Sequence, residues 1–295
     1  MSDVDNDITV FVAFSRGNPG LNWYAIADSA QCRTLPLVLL DETRKTKCLL
    51  GAPKDSPIGR HAPHLVQLSS PSSLASEWRW IGRHARKTPC ISIIASKLPF
   101  DLVCDQLSRC TECCLPDDQE MFLAYWDPAI LGTLIGQSDD KTLHVKGPVL
   151  DQDQLAALTC GVCGWWYWGR TGVLHTISLR QNCLGRNRGP FILTQVQVDE
   201  LVEASVPDHI VFYIQQNNPQ ILLRLYGVQR YQAVQSAVRR ARDIRLTTMR
   251  DLVNYVCLEI IYGARMREDS AIVVLMDRVA SEGMSLDDAI EMIPQ

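Results

Sequence analysis

The chain has 295 residues, 46% of them hydrophobic, with a net charge of −4. That length buries a large core, in one big domain or two of ordinary size. The acidic balance gives no electrostatic case for a nucleic-acid partner, because phosphate contact shows as a basic excess.

In chain order, ITVFVAF at 8–14 and WYAIA at 23–27 read as strands from their aromatic and β-branched content. A Gly-Asn-Pro-Gly turn at 17–20 separates them. Residues 33–42 read as a short helix, and KCLL at 47–50 and HLVQL at 64–68 as short strands. SSPSSLAS at 69–76 leads into a helix that Ser73 can cap, with Trp78, Ile81 and Ala85 at helical spacing. ISIIAS at 91–96 has strand length, and Pro99 suits the first turn of the next helix. The PDDQ turn at 116–119 joins two further strands, ECCL and EMFLAYW.

The last of these stops at Trp126-Asp127-Pro128. A residue before proline is pushed out of the helical region, and proline fits the first helical turn. The Asp127 carboxylate can then cap the free amides of that turn. YWDPAIL therefore predicts strand, corner and helix in minimal length, with Asp127 and Pro128 in a structural role. QNCLGRNRGP at 181–190 reads as a linker.

Beyond it the signals are helical throughout. Thr194 with Gln197 forms a capping box. Ser205 with Asp208, around Pro207, predicts a second helix start, and Asn217-Asn218-Pro219 a stop and a third start. Val228, Tyr231, Val234, Val238 and Ala241 share one face of a fourth. Thr248 with Asp251 opens LVNYVCLEIIY, apolar on most sides and closed by Gly263, which predicts a central buried helix. Ile272 to Val279 continue the pattern, and Ser285 with Asp288 caps a last helix before Pro294. The fold class expected is α+β: a mixed α/β lobe over 1–180 and an all-α lobe over 191–295.

No apolar run approaches the ~20 residues that span a bilayer, and the opening MSDVDND lacks the basic and apolar regions of a signal peptide. A soluble cytoplasmic protein without a membrane partner is expected. The 11 cysteines sit mostly among apolar neighbours, as Cys48, Cys90 and Cys257 do, where a free thiol acts as a small hydrophobe. Cys110/Cys113 and Cys160/Cys163 are two CxxC pairs, the spacing of a tetrahedral zinc site. They nevertheless lack the turn setting of knuckle ligands, so core cysteines are the favoured reading. His61 and His64 bracket Ala-Pro without an acidic cluster. No nucleophile elbow, P-loop or GxGxxG is present. No catalytic residue, metal or cofactor is expected.

Two surfaces stand out. In WWYWGR at 165–170 a strand would place Trp165 and Tyr167 on one side and Trp166 and Trp168 on the other. If one side is core, the other, with Arg170 beside it, offers aromatic area to a partner. The alternative is that the fold covers both sides. Arg239, Arg240 and Arg242 lie off the apolar face of their helix, and read either as a solvated face or as anchors for an acidic partner.

The aromatic-Asp-Pro corner also carries a resemblance. WYAIADSA at 23–30, APHLVQL at 62–68, the corner itself and LAALTCGVCGWWYW occur in the order seen in the type VI secretion effector chaperones, or adaptors, whose defining domain is domain of unknown function 4123. The similarity spans about residues 22–170, with Ala-Tyr-Trp where the family more often has Arg-Phe-Tyr before Asp-Pro. The helical tail resembles the lobe commonly attached to that domain. The resemblance implies a non-enzymatic protein of the bacterial cytoplasm that binds a toxic effector and helps load it onto the VgrG spike. It also implies that Trp165, Trp166, Trp168, Arg170, Arg239, Arg240 and Arg242 are candidate contacts. The competing readings are a zinc or redox protein using the two cysteine pairs, and a structural subunit of the injection machine.

Overall fold

A computed structural model describes residues 3–32, 34–40, 44–53, 56–73, 76–179 and 191–293, with the backbone alone at 36 and 37. The expected linker at 181–190 and the Pro294 stop lie outside the described residues. The chain divides into two compact units, Met1–Leu201 and Val202–Gln295. A sheet-bearing unit is followed by a helical one, an α+β fold.

Unit one runs α1 (Asp3–Gly17), β1 (Asn22–Asp28), α2 (Leu35–Val38), β2 (Thr46–Cys48), β3 (Pro63–Leu68), α3 (Ser76–Ala85), β4 (Ile91–Ser96), α4 (Phe100–Ser108), β5 (Glu112–Cys114), β6 (Glu120–Phe122), α5 (Pro128–Ile135), α6 (Gln152–Leu158), β7 (Val162–Trp168), β8 (Leu174–Thr176) and β9 (Phe191–Ile192). Six strands form one antiparallel sheet in the order β2-β3-β1-β4-β7-β8. β5, β6 and β9 form a second, small sheet in the order β6-β5-β9, antiparallel on one side of β5 and parallel on the other.

Both faces of the large sheet are buried. Strand alternation sends Tyr24, Ile26, Ile94, Trp165 and Tyr167 to one face, against Phe100, Val103 and Leu107 of α4, Leu131 of α5 and Leu158 of α6. It sends Trp23, Ala25, Ile93, Trp166 and Trp168 to the other, against Ile8 and Phe11 of α1 and Trp78 and Ile81 of α3. On this second face Trp23 stacks on Trp166 at 5.6 Å between ring centroids, and Phe11 meets Trp166 edge-on at 5.4 Å. Gly164 is required here, because a Cβ would collide with the Trp166 ring.

The segment 8–14, expected as a strand, lies inside helix α1. Its β-branched and aromatic residues favour strand, but Val4, Ile8 and Phe11 recur at helical spacing, and the face they form covers the tryptophans. Asp7, on the same helix and 5% exposed, accepts Trp168 Nε1–H at 2.8 Å and both arms of Arg86 at 2.7 and 2.8 Å. Arg86 directly follows α3, so one carboxylate ties α1 to β7 and to α3. Ser73 does not cap α3. It closes a 3-10 turn at Pro71–Ser73, its hydroxyl donating to the Ser70 carbonyl at 2.7 Å. The strand expected over EMFLAYW ends at Phe122, and 123–127 form the turn into α5.

Helix α7 (Gln195–Asn217) begins in unit one and ends in unit two. Its capping box is present: Thr194 Oγ1 accepts the Gln197 N–H at 3.3 Å, and Gln197 Oε1 accepts the Thr194 N–H at 2.9 Å. The expected break at Pro207 is absent, and the helix is continuous through it. Proline forfeits one hydrogen bond in a helix, but Val206, Ile210 and Ile214 form an unbroken buried stripe across it. Pro219 opens only a 3-10 turn, Pro219–Leu222, in place of a third helix.

Unit two continues with α8 (Val228–Asp243), α9 (Met249–Tyr262), α10 (Arg265–Glu268), α11 (Ser270–Ser281) and α12 (Leu286–Glu291). The expected caps at Thr248 and Ser285 are made, each hydroxyl accepting the N–H three residues on at 3.1 Å. α9 buries Leu252, Val253, Tyr255, Val256, Leu258 and Glu259, and packs on Val234, Val238 and Ala241 of α8.

Trp166→Ala removes the centre of the aromatic stack. Chemical denaturation followed by tryptophan fluorescence is expected to show a loss of about 3–5 kcal/mol.

Candidate functional site

The corner takes the form its residue types require. Asp127 is extended (φ −76°, ψ 118°), and Pro128 occupies the first turn of α5. Asp127 Oδ1 accepts the Ala129 N–H at 2.8 Å, and Oδ2 accepts the Gln31 side-chain amide at 2.8 Å. Helix α5 closes on Gly136 in the left-handed region (φ 72°), which glycine adopts without strain.

The corner also faces the end of β1. Asp28 is 5% exposed and accepts the Ala30 N–H at 3.0 Å. The Gln31 amide, bonded to Asp127, also favours the charged form of Asp28. Burial, with the Asp127 charge second, pushes the Asp28 carboxyl up to about 6. The WYAIADSA block and the Asp-Pro block thus meet through their acidic residues.

Beside the corner the small sheet turns a mixed apolar and acidic face outward. Trp126 is buried, packed edge-on to Tyr125 at 5.5 Å and under Phe122 at 6.5 Å. Tyr125 is fully buried, and its hydroxyl donates to the Leu107 carbonyl at 2.9 Å. Register places Met121, Cys113 and Phe191 in one row, with Cys113 and Phe191 buried. The opposite face holds Phe122 with Glu112, and Glu120 with Cys114 and Ile192. Phe122 is 52% exposed and Ile192 is 72% exposed. Every residue of β6 is exposed.

The residues expected as partner contacts lie elsewhere. Trp165, Trp166 and Trp168 are fully buried, which corrects the expectation of an exposed aromatic patch. The physical reason is that helices cover both sides of β7. Their polar atoms are also used internally: Trp165 Nε1–H donates to Ser92 Oγ at 3.1 Å and Trp168 Nε1–H to Asp7. Tyr167 between them donates to Asp140 at 3.1 Å. Arg170 is half-buried at the end of β7.

Of the three α8 arginines expected as contacts, Arg239 is exposed, and Arg240 and Arg242 bond to acids within unit two. Arg240 bonds buried Glu259 at 2.7 Å, and Arg267 takes the other oxygen of that carboxylate at 3.1 Å. Arg242 forks onto Glu203 at 3.2 and 2.7 Å and reaches the carbonyls of Leu246 and Thr247. Arg240 and Arg242 are thus held by acids of their own unit while staying 39% and 30% exposed.

The two cysteine pairs do not gather as a four-thiolate site among the described residues. Cys110 and Cys113 are buried, bonding to the carbonyls of Gln106 and Met121, while Cys163 is exposed at the start of β7. Among the described residues no three His, Cys, Asp or Glu side chains are grouped as metal ligands. His61 is exposed with Nδ1 against the Pro57 carbonyl at 3.0 Å, and His64 is buried with Nδ1 against the Ala62 carbonyl at 2.9 Å. No helix among the described residues is long and apolar enough to cross a membrane.

Residues 23–144 match the model of a family described as domain of unknown function (DUF4123). The matched segment runs from β1 past α5, and so contains Asp28, the Asp-Pro corner, β5 and β6. No curated protein and no solved structure matches the chain.

The surface of β5, β6 and β9 is the part that residue-by-residue reading missed. One signal was present in the sequence: 110–128 holds five acidic residues and no basic one.

Two substitutions test this geometry. The native Asp28 carboxyl titrates at about 6, above the usual carboxylate value of about 4. The native state therefore binds more protons between those limits, and stability falls as pH rises through that window. Asp28→Asn is expected to flatten that fall and to raise stability above pH 6 by roughly 2–3 kcal/mol, read from urea midpoints across pH. Arg240→Glu sets a second carboxylate against buried Glu259 and is expected to cost about 3 kcal/mol or more in the same assay.

Proposed function

We propose that the chain is a type VI secretion adaptor, binding a toxic effector in the bacterial cytoplasm and helping to place it on the VgrG spike. It works by contact, without catalysis or a cofactor. The reading is supported by the DUF4123 match over 23–144, a domain associated with such adaptors. It is supported equally by the blocks WYAIADSA, APHLVQL and Trp-Asp-Pro, which fall inside that segment.

The observation that carries it is the exposed strand β6, next to the corner that marks the family. Met121, Phe122 and the neighbouring Ile192 are 41%, 52% and 72% exposed, while the aromatic residues behind them are buried. Apolar groups left in water beside a rigid core are what a partner covers. An adaptor needs an interface on the order of 1,600 Å² in total, with a few aromatic anchors near its centre. Phe122, set on Trp126 and framed by acidic residues, is suited to be one of them.

The test is association of the tagged chain with the toxin encoded by the adjacent gene, and with VgrG, measured by interferometry. The wild-type chain is expected to bind the toxin. The Phe122→Ala/Ile192→Ala variant is expected to bind about tenfold more weakly or worse, with an unchanged circular dichroism spectrum. A wild-type chain that binds neither protein, or that turns over a substrate, removes the proposal.

A further inference from the structure

The surface just described has an open backbone edge as well as a mixed apolar and acidic face. In the β5–β6 pair the Leu115 N–H donates to the Gln119 carbonyl at 2.8 Å, and the Leu123 N–H to the Thr111 carbonyl at 2.9 Å. Antiparallel pairs alternate between bonded and non-bonded positions. With the register Cys113 to Met121, the bonded residues of β6 are therefore 119, 121 and 123. The amides and carbonyls of Glu120 and Phe122 point the other way, out of the sheet. β6 is the last strand on its side, and among the described residues no hydrogen bond reaches those four groups.

Edge strands are normally blunted by shortness, charge, proline, a bulge or a covering element. β6 is short and carries Glu120, but no proline or bulge stands on it, and its residues Glu120, Met121 and Phe122 are all exposed; its charge therefore restricts the edge to a segment of opposite sign. Its charge is of one sign. Glu112, Asp117, Asp118 and Glu120 are exposed around the strand, and no Lys, Arg or His occurs from 110 to 140. Among the described residues none of the four carboxylates is ion-paired.

We infer that β6 receives an extended segment of the cargo as an added strand, and that this segment alternates basic with apolar side chains. This rests on the adaptor reading above. Main-chain hydrogen bonds to Glu120 and Phe122 would supply register. The apolar side chains would cover Phe122 and Ile192, and the basic ones would meet Glu112, Glu120 and the Asp117-Asp118 turn. The charge complementarity selects against acidic segments.

Two measurements test the inference separately from the adaptor reading. In the first, the full chain is titrated with an alternating Arg–Val octapeptide, its Glu–Val counterpart, and an Arg–Val peptide methylated on alternate backbone nitrogens. Binding of the first at least about tenfold tighter than of either control, with slowed hydrogen exchange at the Glu120 and Phe122 amides, supports the added strand. No slowing at these amides, or equal binding of the methylated peptide, overturns it. In the second, Glu120→Pro deletes an outward amide without touching the β5 ladder, a position where an edge strand tolerates proline. If the wild-type chain binds the adjacent toxin and the variant binds about tenfold more weakly, the inference holds. Equal binding overturns it and leaves the adaptor reading intact. A wild-type chain that binds no toxin removes the adaptor reading, and the peptide titration then decides the edge by itself.

Discussion

The large sheet depends on one buried carboxylate. A six-stranded antiparallel sheet with tryptophans on it can leave a face in water only at a high hydrophobic cost, so both faces must be covered. On the tryptophan-rich face the cover is α3 together with α1, and α1 by propensity alone would not be a helix. Asp7 settles the matter by accepting Trp168 Nε1–H and the Arg86 fork at once. A charge 5% exposed is tolerable only when it is paired and hydrogen-bonded. The three-way bond therefore holds helix, strand and Arg86 in one arrangement. The Trp23–Trp166 stack and the edge contacts of Phe11 then fill the space that arrangement encloses.

At the other end of β1 the balance runs the opposite way. Asp28 is buried near Asp127, and the fold bears a cost to keep its carboxylate ionised at neutral pH. Gln31, which donates to Asp127, lowers that cost by favouring the charged form of Asp28, and the Ala129 amide occupies the remaining oxygen of Asp127. The result is a stiff corner from which β6 projects with every side chain exposed. Stiffness behind and exposure in front are what a docking surface needs, because a pre-ordered edge loses less conformational entropy when a partner settles on it.

Much of the fold was legible locally. The Asp127 cap, Pro128 at the first turn, Trp78 with Ile81 and Ala85 on α3, and the capping residues Thr194, Thr248 and Ser285 all depend on neighbours within a few positions, and all are formed. The failures share a cause. Residues 8–14 have strand composition but helical spacing, and the buried stripe across Pro207 outweighs one missing hydrogen bond. Each time, packing against distant residues overrode a local preference.

The candidate surface divides in the same way. The sequence by itself determined the alternation of Trp165 and Tyr167 against Trp166 and Trp168, the acidic character of 110–128, and the Asp-Pro corner, because these are matters of period and residue type. Only the tertiary structure decided that both faces of β7 are covered, that Arg240 and Arg242 bond Glu259 and Glu203, and that β6 is left at an edge. Whether a side chain is core or surface depends on which elements, far along the chain, come to lie over it. No window of local sequence contains that information.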